Sequence, residues 1–167
     1  MRTIHVETHL PTDPEQVWHA LLHPASFLYV SRGVLGVPAL AGRTAPIREG
    51  ECARGWLLLF HLIPISRHTI HVVEVDAATR TLRTREHGGP LRVWNHALHV
   101  EPAGPGQCRY SDTVEIDAGR LTRVVAVVAV WLYRYRQRRW HKLVRNHLMP
   151  EGPRHAVAPA LTARATD

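Results

Sequence analysis

The sequence changes from strand-like to helical periodicity within residues 107–147, QCRYSDTVEIDAGRLTRVVAVVAVWLYRYRQRRWHKLVRNH. Apolar and polar residues alternate as far as Ile116, which is typical of a β-strand with one buried face. From about Leu121, apolar residues recur every three or four positions and predict an α-helix. At 1.5 Å per residue, a helix of about 27 residues is roughly 40 Å long. A helix of this length is suited to cover one face of a large sheet.

The preceding sequence predicts that sheet. Alternating residues and turn signals indicate strands at 3–9, 44–49, 53–63, 67–75, 81–87 and 92–100. Pro14 and Glu15 favour the start of a short helix that ends near His23, and a second short helix is predicted at 25–29. Short polar loops between the strands favour antiparallel pairing. The prediction is therefore an α+β fold, in which a curved antiparallel sheet of about seven strands wraps around the long C-terminal helix, with two short helices after strand 1.

Length and composition limit the remaining possibilities. The 167 residues suit one domain, which we assign to residues 1–149, and the Ala-, Pro- and Thr-rich residues 150–167 are predicted to be a disordered tail. Cys52 and Cys108 lack the spacing of a metal site, so no metal and no cofactor are predicted. The longest apolar run is about half the ~18 residues that a membrane span needs. We therefore expect a cytoplasmic protein without a membrane span.

Three short motifs carry a family resemblance. The opening at residues 6–18, VETHLPTDPEQVW, leads from a strand into a helix that contains a tryptophan. The segments GPLRVWNH at 89–96 and YSDTVE at 110–115 are a strand pair, and YRYRQRRW at 133–140 lies on the terminal helix. These motifs resemble the START/polyketide cyclase-like (SRPBCC, helix-grip) superfamily, in particular its bacterial polyketide cyclase/dehydrase-type subgroup, over residues 6–147. The resemblance implies a helix-grip fold around a small-molecule cavity, in a superfamily that contains both binding proteins and enzymes.

Alternation also assigns the faces of the strands. On the last strand, the more apolar face includes Tyr110 and Asp112, and on the strand before it the inward face includes Trp94, His96 and Leu98. Counting back from Val75 places His71 on the inward face of the strand at 67–75. The strand at 53–63 is continuously apolar, so its register cannot be assigned.

These faces predict a largely apolar cavity with a few polar groups. A buried carboxylate needs a donor, and His96 is the expected partner of Asp112. His96, Tyr110 and Asp112 are candidate catalytic residues, although such a pair can also be a purely structural link. Trp131 and Tyr135 belong to an apolar helix stripe that is expected to close the cavity. The predicted ligand-binding residues are His71, Trp94, His96, Leu98, Tyr110, Asp112, Trp131 and Tyr135.

The charge pattern leaves a second surface to consider. The net charge is +7, and Arg134, Arg138, Lys142 and Arg145 recur along one helix stripe that Arg136 and Arg139 broaden. Such a stripe is either a solvated face or a site for anions, and no specific nucleic acid partner is expected. The leading hypothesis is binding or transport of an apolar small molecule. The alternatives are a polyketide cyclase or dehydratase that uses the same cavity, and interaction with an anionic surface through the basic helix. The sequence does not distinguish a monomer from a homodimer.

Overall fold

The computed structural model describes residues 1–148, so the predicted tail at 150–167 lies outside the described residues. In chain order the elements are β1 (Arg2–Leu10), α1 (Pro14–Leu21), α2 (Pro24–Ser31), β2 (Leu35–Gly36), β3 (Cys52–Leu59), β4 (Ile63–Asp76), β5 (Thr81–Gly88), β6 (Leu91–Pro102), β7 (Cys108–Asp117) and α3 (Thr122–Leu143). Short 3-10 turns occur at Pro38–Leu40 and Gly119–Leu121, and a π-helical turn (Val144–Leu148) follows α3.

The seven strands form one antiparallel sheet in the order β1-β7-β6-β5-β4-β3-β2. The sheet curls around α3, which packs against β1, β7 and α2. The predicted helix-grip fold is therefore confirmed. Among residues 1–148, no helix combines the length and apolarity needed to cross a membrane.

Small side chains bring α3 close to the sheet. Ala126 and Ala129 are buried against Val6, Val114 and Ile116, and further along the helix Trp140 and Leu143 join the cluster around Trp18 and Leu10. Four residues of the predicted apolar helix stripe are instead exposed, namely Val124, Val127, Val128 and Trp131. The side of the helix that packs against this part of the sheet is therefore the one that carries Ala126 and Ala129, whose small side chains permit close approach.

Two strand predictions also need correction. Residues 44–49 form no strand, and the edge strand is β2 at Leu35–Gly36. Pro46 explains the first difference, since proline has no N–H for the ladder. The predicted strand at 53–63 is divided by a turn in which Phe60 and His61 adopt positive φ angles of 52° and 63°. Such angles are rare for bulky residues, so the turn had no signal in the sequence.

A β-bulge in β4 reverses the faces that alternation predicted. The pairing with β5 shifts between Val72 and Glu74, so Val75 pairs with Leu82 while Val72 pairs with Thr84. One extra residue in a strand moves every side chain before it to the opposite face. His71 is consequently exposed and His68 is buried. The prediction that His71 lies in the cavity was wrong for this reason.

Candidate functional site

Two adjoining apolar cavities lie between the sheet and the terminal helix. Their volumes are about 100 Å³ and about 320 Å³. Leu82 and Leu98 line the smaller cavity. The larger cavity is lined by Trp94 and also by the exposed Val128 and Trp131, so it reaches the molecular surface beside α3. Both cavities share the lining residues Phe27, Ile70, Glu86, His96 and Arg136.

The first polar group of the site centres on Asp112, which is 1% exposed. Its Oδ1 accepts hydrogen bonds from the Tyr110 hydroxyl at 2.8 Å and from His96 Nε2 at 2.9 Å. Gln137 Nε2 donates to its Oδ2 at 3.2 Å and to the Val6 carbonyl at 2.9 Å. Asp112 therefore orients the imidazole of a histidine that lines both cavities.

Glu86 forms the second polar group, on the inward face of β5. His68 Nε2 lies 2.9 Å from Glu86 Oε2, and the Thr84 hydroxyl donates to Oε1 at 2.6 Å. Burial alone would raise the pKa of Glu86, but the hydrogen bond from His68 and the charge of His96 outweigh burial and lower that pKa. Glu86 is thus an ionised carboxylate whose two oxygens each have a donor.

Arg136 reaches the same place from α3. Its side chain is buried, with 7% exposed, and its guanidinium lies 5.1 Å from the ring centroids of both Phe27 and Tyr133. Within residues 1–148, Arg136 Nε has no hydrogen-bond partner. Burial alone would lower the pKa of Arg136, but neighbouring acidic groups, chiefly Tyr110 and Asp112, raise it above the ordinary value. The site therefore contains a charged guanidinium beside two engaged carboxylates.

Apart from His71, the predicted site residues divide into three sets. Trp94, His96, Leu98 and Trp131 line the cavities, and the predicted pairing of His96 with Asp112 is present. Tyr110 and Asp112 are buried behind the wall and line neither of these two cavities. Tyr135 also lines neither, because its ring stacks on Trp131 and its hydroxyl donates to the Arg32 carbonyl at 2.7 Å.

The sequence interpretation missed Glu86, His68 and Arg136. Alternation in β5, where Thr84 and Glu86 face inward between exposed Arg83, Arg85 and His87, was a usable signal for Glu86. His68 was hidden by the bulge. Arg136 was assigned to a basic surface, which was wrong. It lies seven residues after Ala129 and four before Trp140, on the buried stripe of the helix.

The other cations of the helix end are placed differently. Arg134, Arg138, Lys142 and Arg145 are exposed, as the predicted stripe requires. Arg139 is held by two hydrogen bonds to the Tyr29 carbonyl, at 2.9 and 3.2 Å, and its guanidinium lies over the Tyr29 ring. Arg139 therefore ties α3 to α2.

Comparisons with known proteins agree with this architecture. A family described as "Domain of unknown function (DUF8410)" matches residues 8–145. A search of curated proteins gives no significant match.

Similar solved structures include a START superfamily protein from Mycobacterium smegmatis, with a TM-score of 0.65, 11% identity and coverage of 86% of this chain and 97% of that chain. Norcoclaurine synthase from Thalictrum flavum, in complex with dopamine and hydroxybenzaldehyde, is similar with a TM-score of 0.65, 15% identity and coverage of 89% of each chain. A protein from Chromobacterium violaceum gives 0.66, 16% identity and coverage of 86% and 98%. At these identities the likeness shows the fold, which is the helix-grip fold that the sequence motifs predicted.

Proposed function

The chain belongs to the DUF8410 family and has a START-like helix-grip fold, and from this premise we propose that it binds an apolar small molecule in the cavity beneath α3. The observation that supports this proposal best is the larger cavity itself. Its volume of about 320 Å³ lies within the size range of small-molecule pockets, roughly 300–1,000 Å³. Its wall is mostly aliphatic and aromatic, and its few polar lining residues include Glu86, His96 and Arg136.

The exposed apolar residues of α3 support the same proposal. Val124, Val128 and Trp131 are all more than half exposed, and all three line the larger cavity. Contiguous apolar side chains at a surface often mark a ligand groove, because leaving them in water costs free energy. A bound apolar molecule would cover part of this rim and so gain the associated stabilisation, about 25 cal/mol for each Å² removed from water.

A neutral fluorescent probe tests this binding. N-phenyl-1-naphthylamine should bind with a saturable increase in its fluorescence. Trp131→Ala should weaken its affinity about fivefold, since losing contact over about 40 Å² costs about 1 kcal/mol. Trp56→Ala is the matched control, because Trp56 is 49% exposed and Trp131 54%, but Trp56 lines neither cavity. No saturable binding, or equal loss in both variants, would reject the proposal.

His96 supports a second candidate, an acid–base enzyme that uses the same cavity. Its imidazole lines both cavities and is oriented by the buried Asp112, an arrangement that suits proton transfer to or from a bound molecule. Norcoclaurine synthase, an enzyme by name, has the same fold. The two candidates differ in one outcome. A carrier releases its bound compound unchanged, whereas an enzyme converts it, and His96→Gln should abolish the conversion while binding persists.

A further inference from the structure

The surroundings of Arg136 restrict the chemistry of the ligand. Phe27 and Tyr133 each lie 5.1 Å from the guanidinium carbon, so aromatic rings occupy space near its faces. A guanidinium stacked in this way uses its in-plane N–H groups for hydrogen bonds. Within residues 1–148, however, Nε has no acceptor and Arg136 belongs to no ion pair.

A second unsatisfied donor lies on the next turn of the same helix. Trp140 is 2% exposed and lines the smaller cavity with Arg136, and its Nε1 has no acceptor within residues 1–148. Arginine and the indole of tryptophan can only donate. A buried donor without an acceptor destabilises the folded chain, and a charged donor does so more strongly. The two side chains therefore call for a molecule that supplies oxygen acceptors.

The acidic residues of the site do not meet this need. Glu86 is engaged by His68 and Thr84, and Asp112 by Tyr110, His96 and Gln137. Arg136 is thus the charged group of this cluster that has no partner of its own in the described chain. A planar oxyanion matches it in charge, in geometry and in having acceptors only.

We infer that the ligand is an apolar carboxylic acid whose carboxylate pairs with Arg136, while its apolar body extends through the larger cavity toward Trp131. This inference rests on the proposed function and names the class of ligand. Arg136 lines both cavities, so the carboxylate would lie at their junction, within reach of the Trp140 side of the smaller cavity. The aliphatic residues of α3, β3 and β6 would enclose the rest of the molecule.

The test compares cis-parinaric acid with its methyl ester, which keep the same fluorescent chain and differ by one charge. A charged hydrogen bond contributes about 1.5–3 kcal/mol, so the wild type should bind the acid about 10- to 100-fold more tightly than the ester. Arg136→Met should remove this preference, so that the acid and the ester bind the variant with affinities within about twofold of each other, and an acid preference that persists in this variant would overturn the inference. Arg138→Met is the matched control, because Arg138 is an exposed arginine on the same helix, and the preference should persist in it.

The outcomes distinguish the binding of an apolar molecule from the pairing of a carboxylate with Arg136. If the acid and the ester bind the wild type equally, the carboxylate assignment fails while the apolar cavity stands. If neither probe nor the neutral naphthylamine binds, the proposed function fails. If Arg136→Met does not fold, Trp140→Phe provides a second variant, since it keeps an aromatic ring and removes only the donor. It should reduce the preference for the acid severalfold. An unchanged preference in Trp140→Phe would overturn the placement of the carboxylate beside Arg136 and Trp140.

Discussion

Replacing Asp112 by alanine should destabilise the protein strongly, because it removes an acceptor shared by three buried donors. Gln137 keeps its second hydrogen bond to the Val6 carbonyl, so the Tyr110 hydroxyl and His96 Nε2 are the donors left without a partner. Each unsatisfied buried donor costs about 1–3 kcal/mol. The free energy of unfolding should therefore fall by about 3 kcal/mol. In a domain of this size, that corresponds to a decrease in Tm of roughly 6–12 °C.

Urea denaturation and a thermal melt measure this effect. Asp112→Asn should cost about half as much, because the amide oxygen still accepts from Tyr110 or His96. Ser111→Ala is the control on the same strand, since Ser111 lies on its other face. If Asp112→Ala unfolds at the same urea concentration as Ser111→Ala, the buried acceptor does not stabilise the sheet as described.

Three further perturbations follow from the same structure. Because the pKa of Glu86 is lowered, its ionised form stabilises the fold above the ordinary pKa of 4.5, and this contribution is lost as the pH falls through the lower pKa of the folded state. Glu86→Gln should therefore weaken the dependence of the unfolding free energy on pH below 4.5, and an unchanged dependence would contradict this. His71→Ala should change the free energy of unfolding by less than about 0.5 kcal/mol, whereas His68→Ala, which removes a partner of Glu86, should lower it by about 1–3 kcal/mol. Equal effects of the two variants in urea denaturation would contradict the exposure of His71 and the burial of His68. Burial raises the pKa of Cys108 to about 11, while Cys52 is exposed. A disulfide-exchange reagent at pH 8 should therefore react with one thiol in the native protein and with two in urea, and reaction of both thiols in the native protein would refute the burial of Cys108.

The sequence predicted the helix-grip fold and its broad order of strands and helices along the chain, because these follow from patterns that extend over many residues. The last two strands alternate without interruption, so the inward positions of His96 and Asp112, and their pairing, could be predicted from periodicity alone. Where alternation was broken, prediction failed. The bulge in β4 reversed the faces of His68 and His71. The local sequence contains no glycine or other turn signal that would predict the extra residue between Val72 and Glu74.

The helix shows a different limit. In its first half, the buried face is marked by Ala126 and Ala129, while the larger Val124, Val128 and Trp131 line the rim of the cavity. A pattern of apolar residues alone does not distinguish a packed face from a ligand-lining face. Arg136 could not be separated from the exposed arginines around it by charge, because only packing against the sheet decides which arginine is buried.

A crystal structure of the protein with cis-parinaric acid would show whether the cavity holds an apolar acid and whether Arg136 binds its carboxylate. We expect electron density for the ligand's hydrocarbon chain in the larger cavity, between Trp94 and Trp131, with the carboxylate within hydrogen-bond distance of the Arg136 guanidinium. A cavity filled by the protein's own side chains, or a ligand bound elsewhere with Arg136 paired to Glu86 or Asp112, would contradict it.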